Sequence, residues 1–303
     1  MRLTKLLLSV LLVISLFITA CGGDDAPVNA GGSAFIGGSE GVVPTFEQFG
    51  IEDESTGIYT IFDSETFPID VTVQNKGEYE IQPGDVRVTL LGPSQEEFSG
   101  IASYTLQNTG VIEKISDLVK DGGVETISFA SDAKYESPVT GALVRNWLAN
   151  LEYNYQTYLI IPEVCLKEDI KDERVCDIVE SKSYDVSGAP LTVTSVEEKT
   201  SGKAIMALTI EIKKEGTGKF ALLGEEFGVR DKVGYSIDDP AWECKSGGKL
   251  NEARLTDGTA EVTCRLKDPL AKGTLATKKI ELTFDYQYQD IIQEKLLMKE
   301  TAK

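Results

Sequence analysis

From about residue 58 to the C-terminus, apolar and polar positions mostly alternate in short runs, the period of strands with one buried and one wet face. In LEYNYQ, Leu151, Tyr153 and Tyr155 share one face while Glu152, Asn154 and Gln156 share the other. In LTFDYQ, Leu282, Phe284 and Tyr286 oppose Thr283, Asp285 and Gln287. Val86, Val88 and Leu90 repeat the pattern in GDVRVTLLG, as do Ala260, Val262, Cys264 and Leu266. Strands of this kind predict antiparallel sheets packed face to face. Helical spacing is scarce: Val111 to Val119 is the best candidate helix, with Val139 to Asn150 a second.

The alternating segments occur twice. FPIDVTVQNKGEYEI matches MALTIEIKKEGTGKFA, with Ile69, Val71, Val73 and Gly77 over Leu208, Ile210, Ile212 and Gly216. Asp121-Gly122 matches Asp257-Gly258, each a turn signal. LEYNYQ matches LTFDYQ. The offsets, 139, 136 and 131 residues, fall steadily, so the three matches support one duplication. The expected layout is a first β-sandwich domain over 46–188 and a second over 189–303.

The N-terminal stretch follows another pattern. Arg2 and Lys5 precede an apolar run from Leu6 to Phe17, and small residues lead to Cys21, as in a secretory signal peptide over 1–20. The run is shorter than the roughly 20 residues needed to span a bilayer. Ile18-Thr19-Ala20-Cys21 resembles the lipobox of prokaryotic lipoproteins. That resemblance implies acylation of Cys21, which would become the first residue of a chain anchored to a membrane. Residues 21–45 carry seven glycines between Gly22 and Pro44 without a sustained apolar period, the composition of a tether. The part reading FIGGSEGVVPTF could instead pack on the first domain.

Charge narrows the choice of partners. The chain holds 30 Lys and Arg against 49 Asp and Glu, a net of −19. Removing residues 1–20 takes away Arg2 and Lys5 and leaves 28 against 49, or −21. Nucleic acid and anionic headgroups are poor partners for such a surface. Besides Cys21, four cysteines form two local pairs, which predicts disulfides Cys165–Cys176 and Cys244–Cys264 and an oxidising compartment. The chain has no histidine, so Ser-His-Asp and Cys-His catalysis is excluded within it and a zinc site is disfavoured.

Carboxylates are the remaining candidates for chemistry. Asp238 and Asp239 precede Pro240; Asp169, Asp172, Glu173 and Asp177 surround the first cysteine pair; Glu52, Asp53 and Glu54 sit where the tether enters the first domain. Oxygen-rich runs suit calcium, but no D-x-[DN]-x-[DN]-G loop is present, so the expectation is weak calcium binding at most, with no dedicated metal site and no cofactor. Catalytic residues are expected to be none. Tyr153, Tyr155 and Tyr286 are read as core, whereas Tyr158, Tyr288 and Trp242 fall near strand ends or loops as contact candidates. The stretch around Ser94 to Lys120 is less patterned than the strands on either side of it, and is where a difference in role between the two domains would lie.

Val71-Thr72-Val73-Gln74-Asn75-Lys76-Gly77 resembles the strand-and-turn segment of CARDB-type and related immunoglobulin-like modules on prokaryotic surfaces. The layout of lipobox, Gly-rich tether, GGSEG and two such segments is similar to archaeal surface lipoproteins, although Lys214 stands where the first copy has Asn75. The resemblance implies an all-β pair of tandem immunoglobulin-like sandwiches on the outer face of the cytoplasmic membrane or at the cell surface. The expected function is non-catalytic binding, adhesion or spacing with a protein partner in the envelope. The alternative is a solute- or glycan-binding lipoprotein serving a transporter or hydrolase.

Overall fold

Alternation places one row of each strand in a hydrophobic core and leaves the other row at the surface, and that demand organises the whole chain. The computed structural model describes residues 33–172, 174–178 and 181–302; the leader and Cys21 lie outside the described residues. In the first half the strands are β1 (Val42–Phe46), β2 (Ile51–Asp53), β3 (Ile58–Phe62), β4 (Phe67–Asn75), β5 (Val86–Gly92), β6 (Phe98–Ser99), β7 (Thr105–Gln107), β8 (Val124–Tyr135) and β9 (Ala142–Lys167). They continue as β10 (Asp185–Val186), β11 (Leu191–Thr200), β12 (Met206–Lys214), β13 (Lys219–Ala221), β14 (Lys232–Ile237) and β15 (Trp242–Ser246). The last four are β16 (Lys249–Leu250), β17 (Glu252–Arg254), β18 (Thr259–Leu266) and β19 (Leu275–Lys299). Among the described residues the only helix is a single 3-10 turn at Gln95–Glu97.

Three sheets result among the described residues. A four-stranded sheet runs β1-β4-β8-β6, a five-stranded sheet runs β11-β12-β18-β15-β16, and a ten-stranded sheet has the main path β17-β14-β19-β9-β5-β7. Pairing is antiparallel except where the end of β19 runs parallel to β3. The two smaller sheets have corresponding orders, with β1, β4 and β8 in the places of β11, β12 and β18. The main path of the large sheet is palindromic about the β19–β9 pair.

That central pair follows directly from the repeated strand. β9 and β19 pair from Lys167 with Leu275 to Ala142 with Lys299, roughly 80 Å of strand at about 3.3 Å per residue. At the middle, Tyr155 lies opposite Tyr286, Gln156 opposite Asp285 and Asn154 opposite Gln287. Each copy of L-x-[YF]-x-Y-Q therefore pairs with the other in a register that places a local two-fold axis at Tyr155 and Tyr286. The large sheet accordingly takes β5, β7 and β9 from one side of residue 188 and β14, β17 and β19 from the other.

The period-two reading places the core correctly. On β9, Trp147, Leu151, Tyr153, Tyr155, Leu159 and Ile161 are buried; on β19, Ile280, Leu282, Phe284, Tyr286 and Tyr288 are buried on the same face. They join one hydrophobic cluster with the inner rows Ile69, Val71 and Val73 of β4 and Leu208, Ile210 and Ile212 of β12.

Both helix expectations are overturned. Val139–Asn150 enters β9, where Trp147 and Ala149 point inward and Val144 outward. Its apolar residues fall three or four apart because this strand carries apolar residues on both faces. Val111–Val119 is irregular: Ile112 is pinned by a bridge to Ile81, Val119 accepts in a tight turn from Gly122, and Leu118 is 95% exposed. No apolar stripe exists there to hold a helix.

Of the glycine-rich segment, the part from Phe35 onward packs on the folded body. Phe35 stacks on Tyr158 at 6.4 Å between centroids, and Val42–Phe46 is a paired strand. The buried Glu78 carboxylate accepts the N–H groups of Ile36 (2.9 Å), Gly37 (2.9 Å) and Gly188 (2.7 Å), knotting this segment to the junction between halves. Charge-assisted bonds from three amides are the compensation a buried carboxylate needs.

Candidate functional site

The turns that follow β4 and β12 are closed in the same way. Asn75, fully buried at the end of β4, donates through Nδ2 to the carbonyl of Tyr79 at 2.7 Å. Lys214, at the matching end of β12, donates through Nζ to the carbonyl of Gly218 at 3.0 Å. Each side chain thus bonds a carbonyl four residues ahead and closes the same turn. The Asn-to-Lys difference between copies replaces an amide donor by a cation, which then also pairs with Asp231 at 2.8 Å.

A tyrosine seats on each of these turns. The Tyr155 hydroxyl donates to Asn75 Oδ1 and accepts from the Tyr79 N–H, both at 3.3 Å. The Tyr288 hydroxyl accepts from the Gly218 N–H at 3.1 Å. Both rings approach glycine closely: a Cβ on Gly77 would lie 2.0 Å from Tyr155 Oη, and one on Gly218 would lie 2.3 Å from Tyr288 Oη. Between them, Tyr286 Oη sits 2.9 Å from Thr157 Oγ1, and the four rings of Tyr153, Tyr155, Tyr286 and Tyr288 pack at centroid distances of 5.4 to 6.3 Å. Burial holds the phenols of Tyr153 and Tyr286 far above their ordinary pKa, so they remain neutral hydrogen-bonding groups. This cluster is structural, as expected for Tyr153, Tyr155 and Tyr286. The contact reading of Tyr288 and Trp242 is overturned, because they are 6% and 2% exposed. Tyr158 is half-buried beneath Phe35 and donates to Gln156 Oε1 at 2.6 Å.

Cys165 is bonded to Cys176 and Cys244 to Cys264. Cys244 and Cys264 are directly opposed on β15 and β18. Beneath the first disulfide lies a buried charge network. Glu198, with no exposed surface, accepts the Cys165 N–H at 2.7 Å and pairs with Lys182 Nζ at 2.8 Å, while the 2%-exposed Lys167 reaches Asp177 at 3.4 Å.

The acidic candidates are tied into local turns rather than drawn to one point. Arg174 holds Asp172 through Nε and Nη2, an arrangement that pulls its carboxyl down to about 2. Asp169 accepts the Lys171 N–H, and Glu173 lies outside the described residues. Asp53 accepts from the Ser55 N–H and hydroxyl in a turn. Asp238 accepts the Glu281 N–H at 3.0 Å, and Asp239 accepts from Ala241 N–H and Lys278 Nζ at 3.0 and 2.7 Å. Among the described residues no three acidic or cysteine side chains converge as a metal site.

A groove of about 1020 Å³ lies over the outer face of the five-stranded sheet. Its floor is a cross-strand row, Glu197, Thr209, Thr263 and Lys245, from four adjacent strands. At its margin Arg254 on β17 is opposite Lys232 on β14, with Arg230 two residues before Lys232. The lining lysines are each paired with a nearby carboxylate: Lys199 with Glu197, Lys232 with Glu225, Lys245 with Glu243 and Lys249 with Glu252. The guanidinium groups of Arg230 and Arg254 are exposed and have no ion pair or hydrogen bond among the described residues. A cavity of about 630 Å³ continues the groove past the same two arginines and the Asp257-Gly258 turn, whose residues have positive φ of 52° and 81° as a tight hairpin requires. Sequence reading passed over this groove, since β17 is three residues long and its pairing with β14 has no signature. The available hint was the local bunching of cations in VRDK and EAR on so acidic a chain.

A smaller concavity of about 420 Å³ on the open face of the large sheet is lined by Arg87, Glu152, Gln287 and Gln289 under Phe227. Its polar groups largely satisfy one another: Glu152 Oε1 accepts from Gln289 at 3.0 Å and Asn150 at 2.9 Å, and Glu152 pairs with Arg87 at 3.7 Å.

Searches with protein-family models, curated proteins and solved structures return no match for this chain.

Proposed function

We propose that the chain is an exported, lipid-anchored envelope protein that binds or spaces partners without catalysis, built from two immunoglobulin-like halves fused through a common sheet. The observation that carries this reading is the β9–β19 seam, which locks the duplicated halves into one inflexible body by two strands paired along their whole length. A spacer gains from such rigidity, because a ligand surface held on it loses little conformational entropy when it engages a partner. The pair of disulfides supports an oxidising compartment outside the cytosol. Cys21 would carry the lipid, and the acidic surface would keep the body off anionic headgroups. The free edges β7 and β17 of the large sheet are three residues each, and Ser181 and Lys182 already bridge the outer edge of β11, so a neighbour adding a strand would use β1.

The anchor is tested by fractionating cells that express the full chain or its Cys21→Ala variant after feeding an alkyne-tagged fatty acid. The full chain is expected in the membrane fraction with label incorporated, and the variant unlabelled. Equal labelling of the two, or no label on either, overturns acylation at Cys21. Short amine crosslinks in the same cells should join the anchored protein to itself or to an abundant envelope protein. Links confined to a transporter or a secreted hydrolase would overturn the spacer role.

A further inference from the structure

We infer that the groove over the five-stranded sheet is a binding site for a carboxylated sugar chain, a uronate-type oligosaccharide, with Arg230 and Arg254 taking the carboxylate. This inference rests on the non-catalytic binding reading and gives it a ligand class. Two observations converge. The first is the pair of exposed guanidinium groups at the groove margin, without partners among the described residues while each lining lysine has a carboxylate beside it. Arginine presents a planar fork that matches a carboxylate in two parallel hydrogen bonds. The second lies on the floor, where Thr209 is 9% exposed and its hydroxyl has no hydrogen-bond partner. A buried hydroxyl left unpaired is costly; this one is closed off from solvent, so a ligand hydroxyl would satisfy it by parting the side chains that cover it.

The rest of the lining separates a sugar from other anions. Glu197, Glu211 and Glu261 line the same groove as acceptors. What separates a sugar chain from an acidic peptide is its vicinal hydroxyls, from which these carboxylates accept hydrogen bonds, while the two guanidinium groups answer its negative charge. Thr263, exposed in part, adds a hydroxyl next to Thr209 on the neighbouring strand. A ligand with one carboxylate and several hydroxyls per unit uses every type of group present. A groove of about 1020 Å³ has room for a few sugar rings.

The test uses the full secreted chain, purified from its membrane anchor in detergent, with tetragalacturonate as the probe in titration calorimetry. Binding is expected to tetragalacturonate and to be at least tenfold weaker for the neutral galactose tetramer. Arg230→Ala and Arg254→Ala are each expected to weaken it roughly tenfold or more, as loss of a charge-assisted pair does. Because both side chains are exposed, these variants should unfold at the wild-type denaturant midpoint. Thr209→Val, of nearly the same shape, should weaken binding several-fold while raising that midpoint. The inference is overturned if tetragalacturonate fails to bind, if both arginine variants bind it as the wild type does, or if the galactose tetramer or poly-glutamate binds equally well. Anchoring through Cys21 is read separately by fractionation, so failure here leaves that result standing and failure there leaves this one.

Discussion

Replacing Gly77 by alanine is expected to destabilise the protein by about 3 kcal/mol or more, a large share of the roughly 5–15 kcal/mol typical of a folded domain. The new Cβ would lie 2.0 Å from Tyr155 Oη and 2.6 Å from the carbonyl oxygens of both Glu40 and Gly188. A tyrosine can rotate away, but two of the three obstacles are backbone, held by the Glu78 knot and by the Glu78 N–H to Gly188 carbonyl bond at 2.8 Å. Moving Tyr155 would also strip Asn75 Oδ1 and the Tyr79 N–H of a partner inside the core. Urea unfolding checks the loss. Gly228→Ala is the control, because its Cβ would meet nothing nearer than 3.9 Å, and it should change stability by no more than about 0.5 kcal/mol. Adding Tyr155→Phe to Gly77→Ala should recover only part of the loss, since the carbonyl contacts remain. Full recovery would mean that the hydroxyl alone makes Gly77 necessary.

Glu198→Ala is expected to cost about 3–5 kcal/mol at neutral pH, the range for removing one partner of a buried ion pair. The substitution leaves Lys182, with 10% of its side chain exposed, without its carboxylate and leaves the Cys165 N–H without an acceptor. The same carboxylate gives stability a pH dependence whose sign follows from its surroundings. Burial pushes the Glu198 carboxyl above its ordinary value, with Lys182 pulling against that rise. A raised native pKa means that the native state holds this proton more tightly than the unfolded chain does. Its contribution is therefore fully present below the ordinary carboxylate range and is lost as pH rises through the higher native value. Measured as unfolding midpoints across that window, the wild type should lose stability relative to Glu198→Gln as pH increases. An unchanged difference would place the charge of Glu198 under no net penalty from burial.

Much of the fold is legible in the sequence because alternation is a local property. Leu151, Tyr153 and Tyr155 or Leu282, Phe284 and Tyr286 declare their buried face without knowledge of any partner. What is not local is the pairing. Nothing in LEYNYQ says that its neighbour in the sheet is LTFDYQ, so the duplication was legible but the seam was not. The cysteine pairs were readable from short separation alone, whereas the ionic network beneath Cys165 was not, since Glu198 looks like any glutamate on a charged strand. The helix expectation at Val139–Asn150 failed because spacing of three or four also arises on a strand that carries apolar residues on both faces. Trp242 and Tyr288 were misplaced for a related reason: aromatic residues beside turns look exposed, yet both are buried and the Gly218 turn closes upon Tyr288. Arg230 and Arg254 come together only through strand pairing and curvature, beyond the reach of any one-dimensional pattern.

The seam between β9 and β19 has the geometry of a two-fold dimer interface in which each partner contributes the same strand. Carried by separate chains, it would form and dissolve with protein concentration. Carried by one chain, it closes at an effective concentration fixed by the connecting segment and so persists at any dilution. A single molecule, however dilute, therefore keeps its full sheet.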